Sequence, residues 1–359
     1  MSVARPPALL LFNLATDDDD PLLGFTSGWI NALAKHCSSI DVVTMTAGRV
    51  NVAGNVRVFS IGKEKGYTES RRAVEFYRIL GRRLREKPVD AGFFHMTPLF
   101  AVMAAPILKP RGVKLVLWYA HKAISLTLRA AESLADQVVT PTRESFPFPS
   151  HKLTVVGHGV DTTLFTPGPA RESSAGPFKI LVAGRVAPIK RVEVLIEAVR
   201  QLVLKGDLED IQVRLVGPVL PKDTGYAENL RRTVISAGLQ GRIDFVGPRP
   251  FRRMPDEYRS ADLLVSTSQT GSADKVVLEA MACEVPVVTS NPAFVPVLSR
   301  WSDLLLAPPG DPAALALRMR QMIQMRPAER RGLGRELREV VKERHSLDRL
   351  ARTLILEVF

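Results

Sequence analysis

The stretch FKILVAGRVAPIKRVEVL, residues 178–195, combines an apolar run, a glycine and the beginning of an amphipathic segment. The apolar run predicts a buried strand that ends at Gly184, and the later apolar spacing predicts a helix from about Lys190. Arg185 and Lys190 would then lie beside free backbone N–H groups, an arrangement that suits a diphosphate. A solvated basic helix start has the same sequence pattern, so this stretch alone leaves both interpretations open.

Short apolar runs alternate with amphipathic stretches on both sides of this segment, which is typical of βα units on parallel sheets. The strands predicted in the first half are residues 8–14, 39–44, 56–60, 91–95, 114–119, 137–140 and 152–156. Those predicted in the second half are residues 178–183, 211–216, 243–246, 261–266, 286–289 and 304–307. We therefore expect an α/β fold with two Rossmann-like domains that face each other across a cleft, because ligands of such sheets bind at the carboxyl ends of the strands.

The chain length of 359 residues suits two domains, each large enough to bury its own core. A segment rich in Pro, Gly, Ser and Ala, without periodicity, separates the two strand series and is typical of a linker. We predict an N-terminal domain over residues 1–166, a linker over 167–177, a C-terminal domain over 178–345 and a terminal helix over 346–359. This last helix could cross back to the N-terminal domain.

The formal net charge is +12, from 49 Lys and Arg against 37 Asp and Glu, and it invites an anionic partner. Nucleic acid, a phosphorylated metabolite and an acidic membrane surface all fit this charge. The sequence has no helix-turn-helix, zinc spacing or aromatic RNA-recognition pattern, which argues against nucleic acid. No G-x-G-x-x-G follows either opening strand, which argues against a nicotinamide dehydrogenase.

Cysteine usage and hydropathy indicate a cytoplasmic protein. Cys37 and Cys283 are the only cysteines and lie far apart, so the sequence has neither a disulfide framework nor a zinc spacing. No apolar run approaches the roughly 20 residues that span a bilayer. We expect a cytoplasmic chain that could still bind the inner face of a membrane peripherally.

A second informative stretch is LLVSTSQTGSADKVVLEAMACEVPVV, residues 263–288. An apolar strand leads through a polar loop into a predicted helix over residues 275–282, whose free N–H groups could face a phosphate. Glu279 lies among apolar residues of this helix and needs a partner, because a buried unpaired carboxylate is costly. Ribose hydroxyls and a neighbouring arginine would satisfy it equally well.

Together these stretches resemble the C-terminal domain of retaining GT-B glycosyltransferases of family 4, the glycosyl transferases group 1. The matching pieces are Gly184-Arg185 with Lys190, LVGP at residues 215–218, FVG at 245–247, and LEAMA at 278–282 with PVV at 286–288. The resemblance implies a nucleotide diphosphate-sugar donor, whose diphosphate binds Arg185 and Lys190 and whose ribose binds Glu279. Further candidates for the donor site, at or near the matching positions, are Gly28, Gly184, Gly217, Asp274, Lys275 and Val276.

The sequence departs from the family pattern at two positions. The first acidic residue of the family, eight positions before the second, falls on Gly271, and a usual glycine falls on Glu284. Because that first carboxylate normally serves the donor sugar or the reacting centre, the sugar and the rate are left open. Asp274 and Lys275 are near enough in sequence to substitute for it, whereas Glu284 fits an exposed turn.

The first half resembles the family more loosely. Gly24 and Gly28, in LLGFTSGWINALA, are similar to a glycine-rich loop that approaches the donor phosphate and the acceptor. A helix start with a packing glycine is the alternative. His95 and His121 end two predicted strands and are candidates for the acceptor side, with His121 also a candidate catalytic residue. A lone histidine is more often structural, so that interpretation stays open for each.

Two charged runs remain. Asp17 to Asp20 follow the first strand and are similar to the metal site of the other glycosyltransferase architecture, but a solvated loop agrees better with the motifs of the second half. The basic run from Arg71 to Lys87 carries Val74, Tyr77, Leu80 and Leu84 at helical spacing. It predicts either a surface helix packed on its own domain or a contact with an anionic membrane surface.

From these residues and the resemblance we expect a hexosyltransferase-like glycosyltransferase. It would transfer a sugar, with retention, from a nucleotide diphosphate-sugar to a hydroxyl of a saccharide, polysaccharide or lipid-linked acceptor. His121, Arg185 and Lys190 would be the catalytic residues, the N-terminal domain would bind the acceptor, and no metal cofactor would be needed. The alternative is a non-catalytic nucleotide-sugar binder or scaffold of the same fold.

Overall fold

The computed structural model describes residues 5–20, 22–169, 176–204, 210–269 and 272–359. Its contacts divide the chain into two compact units. The first unit is Met1–Gly159 with Pro250–Arg252 and Leu347–Phe359, and the second unit is Val160–Arg249 with Arg253–Ser346. Residues 170–175 of the predicted linker lie outside the described residues.

The first unit is built on a parallel sheet of seven strands within the described residues, in the order β3-β2-β1-β4-β5-β6-β7. The strands are β1 Ala8–Thr16, β2 Ser39–Ala47, β3 Val56–Ser60, β4 Ala91–His95, β5 Lys114–Trp118, β6 Gln137–Thr140 and β7 Leu153–Val155. The helices are α1 Thr26–Ala34, α2 Glu69–Glu86, α3 Pro98–Leu108 and α4 Leu126–Leu134. All seven strands predicted in this half are confirmed, with ends shifted by no more than three residues.

This sheet is buried on both faces, which is why its strands read as nearly continuous apolar runs. On one face Leu10, Phe12 and Phe94 belong to a cluster with residues of α2, α3 and α4. The rings of Phe12 and Phe94 stack there with centroids 4.5 Å apart. On the other face Leu11 and Val42 pack with α1 and with the end of the chain. Few charged side chains lie on these strands, and the buried carboxylate of Asp41 on β2 is paired with Arg57 on β3.

The second unit contains a parallel sheet of five strands within the described residues, in the order β10-β9-β8-β11-β12. The strands are β8 Phe178–Ala183, β9 Ile211–Val216, β10 Ile243–Gly247, β11 Leu263–Ser266 and β12 Val287–Thr289. The helices are α5 Val192–Leu204, α6 Thr224–Ser236, α7 Met254–Arg259, α8 Lys275–Ala282, α9 Val295–Leu298, α10 Ser302–Leu305, α11 Pro312–Gln324 and α12 Pro327–Arg344. The helix predicted over residues 275–282 is confirmed at both ends.

The last helix, α13 Leu347–Thr353, continues into a π-helical turn over Leu354–Val358. Its side chains Leu350 and Leu354 are buried in the first unit, in the cluster that contains Trp29. The apolar periodicity at the chain end therefore does form a helix. In the described residues, no helix is both long and apolar enough to cross a membrane.

One local prediction in the second unit is wrong, and one predicted helix begins two residues later than expected. Residues 304–307 do not form a strand, because the chain turns through α10 and reaches the sheet only in an isolated bridge between Leu306 and Thr289. The helix expected from about Lys190 begins at Val192, because Pro188–Lys190 forms a 3-10 turn. Arg191 then adopts a left-handed φ of 49°, which interrupts the helical path.

The apolar face predicted for α2 is also wrong at two positions. Val74 and Tyr77 are 66% and 45% exposed, whereas the helix buries Phe76, Ile79, Leu80 and Arg83. The buried face was predicted incorrectly because it contains an arginine, Arg83, whereas the prediction assigned only apolar residues to that face. Its guanidinium lies 4.7 Å from the centroid of the Phe59 ring and pairs with Glu86. The outward face of α2 consequently carries apolar side chains among arginines.

Gly217, just after β9, makes a backbone contact that a side chain would prevent. A Cβ at this position would lie 1.9 Å from the carbonyl oxygen of Gly184. We predict that Gly217→Ala lowers the free energy of unfolding by about 2–4 kcal/mol, because the ends of β8 and β9 must separate. Urea titration followed by circular dichroism measures the change.

Gly225→Ala is the matched control, since Gly225 lies in α6 and a Cβ there would meet no atom within 4 Å. Alanine suits a helix better than glycine by up to about 1 kcal/mol, so this variant should be as stable as the wild type or slightly more stable. Equal urea midpoints for the two variants would contradict the close-approach argument.

Candidate functional site

A pocket in the second unit lies where two neighbouring strands end. Gly184, Arg185 and Lys190, which follow β8, line it together with Ser266, Thr267 and Ser268 at the end of β11. The two strands are adjacent and parallel, with Leu181 opposite Leu264, so their carboxyl ends meet at the same edge. The polar residues therefore converge although about 80 positions separate them in the sequence.

The backbone of this pocket is fixed by glycine geometry and by two cross-links. Gly184 has a left-handed φ of 111°, which lets the chain turn sharply after β8. The Thr267 hydroxyl donates to the Lys190 carbonyl at 2.7 Å, and the Gln269 N–H donates to the Ile189 carbonyl at 3.1 Å. These bonds hold the turn that carries Lys190 against the loop after β11.

Both cations of the pocket lie beside carboxylates of the second unit. The Lys190 ammonium is 2.7 Å from Oδ1 of Asp274, and the two side chains are 21% and 10% exposed. The Arg185 Nε is 3.9 Å from Oδ2 of Asp223, which directly precedes α6. The structure thus brings Arg185, Lys190 and Asp274 together and adds Asp223, which the sequence did not single out.

Glu279 on α8 is buried, with 6% of its surface exposed. Its Oε2 accepts a hydrogen bond of 2.7 Å from the hydroxyl of Tyr258, which is fully buried. Burial raises the pKa of the Glu279 carboxyl, and the Tyr258 hydrogen bond and the charge of Lys275 oppose that rise. Burial also lowers the pKa of Lys275 to about 8. The protein partners of Glu279 are therefore a tyrosine and a lysine, not the arginine considered above.

The other predicted residues of the second unit lie around the same strand ends. Gly217 contacts the Gly184 carbonyl through its backbone, and a Cβ built at Gly184 would lie 3.9 Å from Cγ1 of Val276. Glu284 has a left-handed φ of 61° directly after α8, consistent with a turn residue. Gly271 lies outside the described residues.

The candidates of the first unit follow β1, β4 and β5. Gly24 allows a tight turn, because a Cβ there would lie 2.7 Å from the Asp20 carbonyl oxygen, and Gly28 lies inside α1. His95 is buried among aromatic rings, with the Trp29 centroid 4.9 Å away. His121 is exposed, and its Nδ1 accepts a hydrogen bond of 3.0 Å from the Ala123 N–H. His95 thus has the surroundings of a packed ring, and His121 those of an accessible one.

Two carboxylates of the acidic run after β1, those of Asp17 and Asp20, bind their own loop, whereas Asp18 is buried and pairs with Arg252. Oδ1 of Asp17 accepts hydrogen bonds from the backbone of Asp19 and Arg49. Oδ1 of Asp20 accepts two more, from the N–H groups of Leu22 and Leu23. These carboxylates act as turn-forming groups, which agrees with the loop interpretation.

Several site residues escaped the sequence analysis: Asp223, Tyr258, Ser266, Thr267 and Ser268. The three hydroxyl residues could have been found, because polar side chains directly after a buried strand mark the edge where ligands bind. Tyr258 and Glu279 are 21 positions apart on different helices, so no local pattern connects them.

The Tyr258 hydrogen bond can be tested through its pH dependence. The pKa of Glu279 is higher in the folded protein than in the unfolded chain. The free energy of unfolding therefore falls as the pH rises from the unfolded pKa through the folded pKa. Tyr258→Phe removes the donor and raises that pKa further. We therefore predict a loss of about 1–3 kcal/mol in the free energy of unfolding at about pH 8, and a smaller loss at about pH 5.

Tyr226→Phe is the matched control for this prediction. The Tyr226 hydroxyl also donates to a carboxylate, Glu193 at 2.6 Å, but that carboxylate is 41% exposed and can bind water instead. Urea titrations at both pH values should show a deficit for Tyr226→Phe that changes little with pH. A Tyr258→Phe deficit that is equally insensitive to pH would refute the argument.

Comparison with known proteins bears on the second unit and on the fold. Residues 177–325 match the sequence family described as "Glycosyl transferases group 1". The D-inositol 3-phosphate glycosyltransferase of Corynebacterium efficiens is 30% identical over 202 residues, covering 53% of this chain and 46% of that protein. The chain spans less than half the length of the relatives of this name that it matches.

Solved structures resemble almost the whole chain at low sequence identity. Sucrose-phosphate synthase from Thermosynechococcus elongatus has a TM-score of 0.74 at 19% identity, covering 96% of this chain and 97% of that one. HepE from Anabaena, in complex with UDP and glucose, also has a TM-score of 0.74, at 17% identity, covering 97% and 98%. These likenesses establish the fold. Residues 177–325 therefore carry a glycosyl transferases group 1 domain, in a chain whose two Rossmann-like domains have the GT-B fold.

Proposed function

We propose that this protein transfers a sugar from a nucleotide diphosphate-sugar to a hydroxyl of a saccharide, polysaccharide or lipid-linked acceptor, with retention at the anomeric carbon. The observation that carries the proposal is the pocket at the ends of β8 and β11, where Arg185 and Lys190 lie together. The family match over residues 177–325 supports the same assignment.

The two cations would act on the leaving group. When the bond between the anomeric carbon and the phosphate oxygen breaks, its electron pair goes to the diphosphate, where negative charge increases. Arg185 can donate two parallel hydrogen bonds to phosphate oxygens, and Lys190 supplies a compact point charge. Because fixed cations stabilise the developing charge, we propose that the reaction needs no metal ion.

Glu279 would bind the donor ribose. Its Oε2 is engaged by the Tyr258 hydroxyl, so a ribose hydroxyl would donate to Oε1. Gly184 and Gly217, together with the start of α8 at Asp274, Lys275 and Val276, would form the walls around the nucleotide. The UDP bound to HepE in the Anabaena structures supports a nucleotide-sugar donor for this fold, while the base and the sugar of this protein's own donor are left to experiment.

His121 is the candidate for a catalytic role from the first unit. Because its Nδ1 accepts the Ala123 N–H, the neutral ring carries its proton on Nε2. That N–H can donate a hydrogen bond to a sugar hydroxyl or to the acceptor. Gly24, Gly28 and His95, also after strands of the first sheet, would shape the acceptor side, and Gly28 would in addition approach the donor.

Arg185→Ala tests the assignment of the diphosphate site. A thermal-shift panel of nucleotide sugars first identifies the donor, and its consumption is then followed in buffer that contains EDTA. We predict that Arg185→Ala lowers kcat/KM for donor consumption by at least about 100-fold, since a donor to developing charge is lost. The anomeric configuration of the product, read by NMR, tests retention.

Arg200→Ala is the control, because Arg200 pairs with Glu197 on the outer side of α5 and should leave the rate unchanged. Wild-type turnover by Arg185→Ala would refute the site assignment, and activity that EDTA abolishes would refute the metal-free proposal. Donor-induced stabilisation without any donor consumption would favour the non-catalytic binder instead.

We also propose that the outward face of α2 binds an anionic membrane surface. Val74 and Tyr77 are exposed there beside arginines at helical spacing, namely Arg71, Arg78, Arg82 and Arg85. The Arg85 side chain has no ion-pair partner among the described residues, and Arg78 pairs only with Glu75. An exposed aliphatic and an aromatic side chain within a cationic face are typical of helices that lie at a lipid interface.

Vesicle co-sedimentation tests this surface. We predict that the protein binds phosphatidylcholine vesicles containing phosphatidylglycerol more strongly than phosphatidylcholine alone. Arg78→Glu with Arg85→Glu should weaken that binding at least about tenfold, since each basic residue near such a surface contributes ~1 kcal/mol. The same reversal at Arg331 and Arg335, which are exposed on α12, should have little effect. If both double variants lost vesicle binding equally, the net charge of the protein and not the face of α2 would explain the binding. If the protein bound an acidic glycan but not vesicles, the membrane proposal would be wrong.

A further inference from the structure

The two cations of the donor pocket are each balanced by a carboxylate of the same domain. Lys190 pairs with Asp274 at 2.7 Å, and Arg185 lies 3.9 Å from Asp223. The four side chains carry two positive and two negative formal charges, which sum to zero. A site for an anion would gain most from uncompensated cations, so the presence of both carboxylates needs an explanation.

Asp274 is held in place from several directions. Its Oδ1 accepts the Lys190 hydrogen bond, and its Oδ2 lies 3.5 Å from both the Ser266 hydroxyl and the Asn291 amide nitrogen. Asn291 is itself anchored, because the same amide nitrogen donates to the Ser272 carbonyl at 2.8 Å. The carboxylate is therefore fixed at the N-terminus of α8, with 10% of the Asp274 side chain exposed.

Asp223 is held differently. Its side chain is 9% exposed, and its Oδ2 has no hydrogen-bond partner among the described residues. Arg185 is close enough to attract it but too far for a hydrogen bond. Its influence on the pocket is thus a through-space charge effect, which should be weaker than that of Asp274.

We propose that Asp274, and to a smaller extent Asp223, are counter-ions that set the affinity of this pocket for nucleoside diphosphates. The inference rests on the proposed function, because it assumes that the diphosphate binds Arg185 and Lys190. A bound diphosphate must draw Lys190 away from Asp274 and lie near that carboxylate. Both effects weaken binding, and they weaken it most for the most highly charged ligand.

The effect of Asp274 and Asp223 on diphosphate affinity depends on how little these side chains are exposed. Charges that are mostly buried are screened less by water and salt than surface charges. One carboxylate close to several phosphate charges can therefore change an affinity by about tenfold. The functional consequence is release of the diphosphate product, since a pocket with two unopposed cations would retain it and slow turnover.

Asp274→Asn tests the proposal, because asparagine keeps the shape and removes the charge. Isothermal titration of UDP, ADP and GDP into the wild type identifies the diphosphate that binds best. We expect Asp274→Asn to bind it about tenfold more tightly, with a steeper dependence on salt, and Asp223→Asn to bind it about two- to threefold more tightly. The gain should be smaller for the corresponding monophosphate and absent for the nucleoside.

Two further variants complete the set. Asp274→Glu keeps the negative charge and should bind the diphosphate more weakly than Asp274→Asn. Asp303→Asn removes an exposed carboxylate on α10 and should change nothing. In donor consumption, Asp274→Asn should lower both KM and kcat, because the product leaves more slowly. A role confined to folding would not produce this combination.

The outcomes separate the two proposals. If the wild type binds a nucleoside diphosphate and Asp274→Asn binds it equally or more weakly, then Asp274 is not a counter-ion and the inference is wrong, while the proposed function stands. If neither the wild type nor any variant binds any of the three diphosphates, the proposed function fails and the inference fails with it.

Discussion

A parallel sheet covered on both faces leaves almost no place for polar side chains along its strands. In both units the strands are lined with buried aliphatic and aromatic residues. Most charged side chains therefore lie outside the strands, and because the strands are parallel the turns at their carboxyl ends collect at one edge. The pocket of Gly184, Arg185 and Lys190 follows from this constraint, and so does the convergence of residues 190 and 274 on one ion pair.

Within that edge, partial burial determines how the charged groups are paired. A carboxylate or ammonium that loses water must gain a partner, and Asp274 and Glu279 have both done so. Asp274 forms an ion pair with Lys190. Glu279 accepts a hydrogen bond from the Tyr258 hydroxyl and is stabilised by the positive charge of Lys275. The neighbouring residues Asp274 and Lys275 thus neutralise two different groups. A change at either position leaves its partner uncompensated, so substitutions there affect more than the altered residue.

The elements set by local pattern were predictable, and those set by distant contacts were not. Both ends of buried strands such as Ala91–His95 and Ile211–Val216 were predicted correctly, since apolar runs between turn residues have few other interpretations. Residues 304–307 are equally apolar, but their path depends on whether they reach the edge of β12. The outward face of α2 was misassigned because a buried arginine, Arg83, cannot be recognised from periodicity. Pairs such as Tyr258 with Glu279 require the tertiary fold.

The family resemblance and the geometry can be reconciled at the start of α8. The family pattern places an acidic residue where this chain has Gly271, and this chain instead has Asp274, three positions nearer to Glu279 in the sequence. This chain therefore still has one acidic residue shortly before Glu279, but at residue 274 instead of 271. At residue 274 the carboxylate reaches the ammonium of Lys190. If Lys190 binds the donor diphosphate as proposed, this carboxylate would act on the leaving group, because it would change how strongly that cation holds the departing charge.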